Sequence, residues 1–135
     1  MITLINVYYE ENRHAILYDL LSERTPEQSI SHKELPDYPE HVEFVESLPY
    51  KTWCFIHSSK ENDYVGTVYL TRQNEIGVFI FKKYQGNGYG PVAVKELMDA
   101  NEGPFLANVN PQNTASARMF EWLGFKHIQD TFQLD

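Results

Sequence analysis

Gln85-Gly86-Asn87-Gly88-Tyr89-Gly90 lies between an apolar run ending in Val78-Phe79-Ile80-Phe81, which reads as a strand, and a periodic apolar segment that reads as a helix. Glycines at alternate positions let the backbone turn sharply and approach a ligand closely. The first N–H groups of the following helix have no intrahelical partner and can be turned toward an anion. A tight turn with no ligand is the competing reading. Two familiar phosphate loops do not fit: Pro91 stands where a dinucleotide fingerprint needs its last glycine, and no Gly-Lys-Ser/Thr follows. The pattern is Q-x-x-G-x-G.

Upstream of the loop, three apolar segments, 50–57, 64–71 and 75–81, are separated by the turn-rich 58–63 and the short Arg72-Gln73-Asn74, which predicts an antiparallel meander. The third is apolar at nearly every position from Ile76 to Phe81 and is expected to be a central strand covered on both faces. At the N-terminus, Ile2 to Tyr9 is rich in β-branched and aromatic residues and predicts a strand. A helix follows, with Ala15, Leu17, Leu20 and Leu21 on its apolar side and Thr25-Pro26 as its stop. Asp37-Tyr38-Pro39-Glu40 has the form of a capping box for a second helix carrying Val42, Val45 and Leu48.

Beyond the loop, Val92, Ala93, Glu96, Leu97 and Met98 predict a helix ending near Gly103-Pro104, and Phe105 to Val109 a short strand. Asn113 is a good N-cap and Gly124 a good C-terminal cap for a helix with Ala115, Met119, Phe120 and Leu123 on one side. Phe125 to Leu134 is expected to be the last strand.

The 135 residues are expected to form one globular domain: 42% are hydrophobic and 14% aromatic, too apolar for a disordered chain. The 11 Lys and Arg against 19 Asp and Glu give a formal charge of -8, which opposes binding to nucleic acid or an anionic membrane and suits a cationic partner. Met1-Ile2-Thr3-Leu4 lacks the basic, apolar start of a secretory signal and no apolar run is long enough to span a bilayer, so a cytoplasmic protein is expected. Cys54, the one cysteine, reads as a buried structural thiol between Trp53 and Phe55. The five histidines show no metal-ligand spacing. His32, in a polar loop, either faces a substrate or is simply solvated.

Together, Gln85 to Gly90 and Asn113-Thr114-Ala115-Ser116-Ala117-Arg118-Met119-Phe120-Glu121-Trp122-Leu123-Gly124-Phe125 resemble the two cofactor motifs of the GNAT superfamily of acyl-CoA-dependent N-acyltransferases. Asn74-Glu75-Ile76-Gly77 is similar to the branch that acetylates ribosomal proteins and nucleotide-linked amino sugars. The resemblance implies an α/β (α+β) fold: a mixed, mostly antiparallel central sheet of about six strands, flanked by about four helices. It implies that Gln85, Gly86, Asn87, Gly88, Tyr89 and Gly90 wrap the pyrophosphate of acetyl-CoA. Val78, Phe79 and Ile80 would lie along the pantetheine arm, with Asn113, Ser116 and Phe120 against the same arm or the thioester. No metal is implied.

The implied reaction is direct attack of a neutral amine on the thioester, with the Ile80 N–H polarising the carbonyl. Glu75 is the candidate base, because period-two alternation puts it on one face with Gly77, Phe79 and Phe81; a solvated turn residue is the other reading. Two departures stand out. Phe120 occupies the position where many relatives carry a proton-donating tyrosine, leaving water, Tyr89, Ser116 or no acid at all. Only ten residues follow Phe125, too few for the usual strand pair, so the acceptor cleft is expected to be open or completed by a second copy in a homodimer. The preferred acceptor is a small primary amine such as a nucleotide-linked amino sugar. Acetylation of a protein or peptide N-terminus and a non-catalytic acyl-CoA-binding module are the alternatives.

Overall fold

The computed structural model describes residues 1–24 and 35–135, so Thr25-Pro26 and His32 lie outside the described residues. Strand β1 (Ile2–Asn6) leads through a 3-10 turn to helix α1 (Arg13–Ser22), and helix α2 (Tyr38–Glu46) precedes strands β2 (Thr52–Ser58), β3 (Asp63–Leu70) and β4 (Ile76–Ile80). A second 3-10 turn, Lys82–Tyr84, opens the glycine loop, followed by helix α3 (Tyr89–Asp99) and helix α4 (Thr114–Trp122).

The strands form one antiparallel sheet in the order β1-β2-β3-β4. Because side chains alternate across a strand, β2 and β3 feed two cores. Ile56, Val68 and Leu70 pack on one face with Ala93, Val94, Leu97 and Phe120; Trp53 and Phe55 pack on the other with Val7, Leu17 and Val45. Each fully buried side chain of this size contributes about 1.5–3 kcal/mol of transfer free energy. Helices α3 and α4 thus cover one face, and α1 and α2 the other. Val65 is an extra residue in β3, since Ile56 pairs with Gly66 and His57 with Tyr64. A bulge of this kind adds twist to the sheet next to the far end of β4.

The capping box forms as expected: Asp37 accepts a hydrogen bond from the Glu40 N–H at 2.9 Å. The inward residues of α1 and α2 differ somewhat from expectation. Leu17 and Leu20 are buried but Ala15 is exposed; His41 and Val45 are buried, whereas Leu48 lies beyond the end of α2 and is 53% exposed.

The sheet has four strands among the described residues, not about six. The 105–109 segment makes one parallel bridge, Glu75 with Leu106, through Ile76 N–H to Leu106 O at 2.7 Å and Leu106 N–H to Asn74 O at 2.9 Å, and then diverges. Residues 125–134 form no strand, and Ile128, Phe132 and Leu134 are 75%, 91% and 98% exposed. Without a continuous neighbour at 105–109, there is no ladder for the final segment to join. β4 is therefore an edge strand rather than a central one, although side chains cover both of its faces.

Candidate active site

The glycine loop is held by its own side chains. Gln85 Nε2 donates to the Ile80 carbonyl at 3.1 Å, and Asn87 Nδ2 donates to the Tyr84 carbonyl at 2.9 Å. These bonds occupy the Ile80 and Tyr84 carbonyls, and the N–H groups of Gly86, Asn87 and Gly88 donate no hydrogen bond among the described residues. Gly86 and Gly88 have φ of +82° and +79°, and a Cβ on either would meet nothing within 4 Å. Space is open above the loop, and only the backbone conformation calls for glycine. Gly88 is the N-cap of α3, so the positive end of that helix faces the same open space.

From the loop, the exposed edge of β4 runs back toward the bridge at Leu106. Ile76 donates away from β3, so alternation turns the N–H groups of Val78 and Ile80 the same way. Where β4 and the 108–110 segment part, a cavity of about 190 Å³ opens, lined by Glu75, Val78, Phe79, Asn108, Asn113, Ser116 and Phe120, among others. Asn113 Oδ1 accepts from the Ser116 N–H at 3.2 Å and so caps α4, which leaves its amide nitrogen as the donor end.

The Glu75 carboxylate is fixed across this fork. Its Oε1 accepts from Thr71 Oγ1 at 3.2 Å, and its Oε2 accepts from Asn108 Nδ2. A carboxylate held from both sides of a cleft is an oriented acceptor for a proton. Neither Thr71 nor Asn108 stands out in the sequence; the four-residue spacing of Thr71 and Glu75 around a turn is the one local hint.

On the α1 and α2 side lies a second cavity, of about 300 Å³, walled by Leu17, Leu20, His41, Phe44 and Trp53. Arg24, Tyr50, Tyr69 and Phe79 line both cavities. The Tyr50 and Tyr69 rings stack at 3.9 Å and 6°, and burial raises the pKa of both phenols, which keeps them neutral hydrogen-bonding groups. Arg24 lies over the Phe79 ring at 3.9 Å. Sequence reasoning misses all three polar residues: an arginine ending a helix ordinarily reads as solvated, and tyrosines on strands read as core.

The structure brings together Glu75, Val78, Phe79, Asn113, Ser116 and Phe120 around one cavity. It does not bring Ile80 to Glu75: the two are five positions apart along extended chain, roughly 16 Å at the usual rise. Tyr89 is also directed elsewhere. Its hydroxyl donates to Glu61 at 2.7 Å and accepts from Ser58 at 3.2 Å, anchoring the start of α3 to the β2–β3 turn. Cys54 packs half-buried against the core, which raises its thiol pKa and suits a structural role. No cluster of metal-ligating side chains occurs among the described residues, and no described helix is long and apolar enough to cross a membrane.

Residues 10–126 match the family model for the acetyltransferase (GNAT) domain. Among solved structures, a domain from Methanocaldococcus jannaschii superposes with a TM-score of 0.80 at 23% identity, over 97% of this chain and 92% of that one. YncA of Salmonella typhimurium, solved with its cofactor acetyl-CoA, gives 0.70 at 17% identity over 93% and 78%. A ribosomal-protein-alanine N-acetyltransferase from Brucella melitensis gives 0.70 at 16% identity over 96% and 86%. No match was found among curated proteins.

Proposed function

Because the chain belongs to the GNAT acetyltransferase family, we propose that it is one acetyltransferase domain that moves the acetyl group of acetyl-CoA to the primary amine of a small acceptor, a nucleotide-linked amino sugar being the preferred class. The observation that carries this reading is the continuity of the site. An open anion loop, an outward-turned strand edge, a cavity holding an oriented carboxylate and an aromatic second cavity follow one another along β4.

The residues present fit the donor. The N–H groups of Gly86 to Gly90 and the start of α3 would hold its pyrophosphate, and the β4 edge would take its pantetheine arm as a sheet takes a strand. Asn113 Nδ2 and Ser116 face the same space. The donor supplies an acetyl thioester; this chain supplies position and proton handling.

An amine in the aromatic cavity would reach the thioester beside Phe79. Holding the two reactants in register recovers on the order of 7–11 kcal/mol of barrier. Glu75, oriented by Thr71 and Asn108, would take the amine proton through water. Val78 N–H is better placed than Ile80 N–H to steady the carbonyl oxygen, because Val78 lines the cavity with Glu75. The new C–N bond forms as the C–S bond breaks. With Phe120 unable to donate and Tyr89 engaged by Glu61, the departing thiolate takes its proton from water or Ser116.

Mass-spectrometric detection of an acetylated product tests the reaction. Acetyl-CoA would be supplied with amino sugars and their nucleotide-linked forms, polyamines and peptide N-termini. Mono-acetylation of an amino-sugar acceptor is expected; acetylation confined to peptides would overturn the small-acceptor reading.

A further inference from the structure

Among the described residues, Arg24 is a cation with no counter-ion. Its guanidinium lies 3.9 Å above the Phe79 ring, its Nε is buried without a hydrogen-bond partner, and it enters no ion pair among the described residues. The nearby carboxylates among the described residues are engaged elsewhere. Glu23 accepts from the Lys82 N–H at 2.8 Å, Glu75 is held by Thr71 and Asn108, and Glu40 interacts with Asp37. Burial lowers the pKa of Arg24, the expected direction for a cation withdrawn from water.

A half-buried, unpaired guanidinium is unfavourable in a resting protein, and the fold nevertheless holds this one in place. The Glu23 contact ties the end of α1 to the end of β4, and the Phe79 ring 3.9 Å away holds the guanidinium by a cation–π contact. A guanidinium offers paired N–H donors to a planar or tetrahedral oxyanion. Arg24 lines both cavities beside Tyr50 and Tyr69, whose hydroxyls are hydrogen-bonded to each other.

We propose that Arg24 reads an anionic group on the acceptor: the amine that enters the aromatic cavity also carries a carboxylate or a phosphate that pairs with this guanidinium. The proposal rests on the acetyltransferase reading and narrows its substrate class. It also runs against the net charge of -8, which favours cationic ligands at long range but does not set the local field at Arg24.

The test compares matched amines on the protein saturated with coenzyme A: glucosamine 6-phosphate with glucosamine, and phenylalanine with phenylalaninamide. Calorimetry gives affinity and thiol release from acetyl-CoA gives rate. The anionic member of at least one pair is expected to bind about tenfold tighter or more, the size of a charge-assisted hydrogen bond. Arg24→Met should reduce that preference to near parity and Arg24→Lys should retain part of it; Arg24→Gln serves if the Met variant does not fold. Equal binding of both members by the wild type, or a preference that survives loss of the guanidinium, overturns the proposal even if acetyl transfer is observed. An Arg24-dependent anion preference with no transfer to any amine upholds the anion site and overturns the enzymatic reading.

Discussion

Tyr69 lies directly over the backbone of Gly77, so that a Cβ placed on that glycine would sit 2.1 Å from Cζ of the ring. Gly77→Ala must push Tyr69 aside and break its stack on Tyr50. A loss of about 1–3 kcal/mol in denaturant unfolding is expected, the usual cost of overpacking. Replacing Tyr69 with Leu in the same background should recover part of it, because the two sites touch. Additive losses in the double variant would show that the ring is not the obstacle.

Gly86 and Gly88 give the opposite case. Their added methyl groups meet no atoms, so Gly86→Ala and Gly88→Ala each cost only the left-handed backbone, about 1–2 kcal/mol. The larger effect belongs to the ligand, since a methyl group would stand where the pyrophosphate approaches. Acetyl-CoA affinity by calorimetry should fall about tenfold or more, as when one charge-assisted hydrogen bond is lost. Unchanged affinity would place the donor's phosphates elsewhere.

Glu75→Gln keeps the shape of the carboxylate but not its basicity. Turnover at neutral pH should fall on the order of 100-fold or more, the usual share of a general base, with little change in acetyl-CoA affinity. The remaining activity should rise with pH as the free amine becomes more abundant. A variant with the wild-type rate and pH profile would leave Glu75 a structural tie between Thr71 and Asn108.

His41 is 4% exposed, and its Nε2 lies 3.2 Å from the His14 carbonyl. Burial lowers its pKa below 6.5. Between that lowered value and 6.5 the unfolded chain binds more protons than the folded one, so stability falls as pH drops. The contribution is complete above about pH 6.5 and is lost as pH falls through the folded pKa. Glu10 and Glu46, held below 4.5 by Tyr64 and Arg13, act only in more acidic solution. The melting temperature should therefore decline from pH 7 toward pH 5 in the wild type and less steeply in His41→Gln. Identical slopes would assign the decline to other groups.

The glycine loop and the α4 cap were legible because their requirements are local. Positive φ at Gly86 and Gly88, the Asn113 cap and the strand-to-helix order each follow from a few neighbouring residues. The polar wall shared by the two cavities was not. Arg24, Tyr50, Tyr69 and Asn108 come together only through sheet order and helix placement, and each looks ordinary on its own stretch of chain. The sheet edge shows the same limit. Ile128, Phe132 and Leu134 have strand character, but hydrogen bonding needs a partner, and after Leu106 the neighbouring segment turns away. Alternation describes a face and does not supply a neighbour.

The shared wall of Arg24, Tyr50, Tyr69 and Phe79 has a consequence for kinetics. With donor and acceptor placed as proposed, a substitution at any of these four residues alters the surroundings of both substrates, so the two Michaelis constants should move together rather than one at a time. Specificity for the acceptor cannot be redesigned at this wall without altering use of the donor. Changes confined to Leu17, Leu20, His41 and Phe44, which line only the second cavity, offer the separable route.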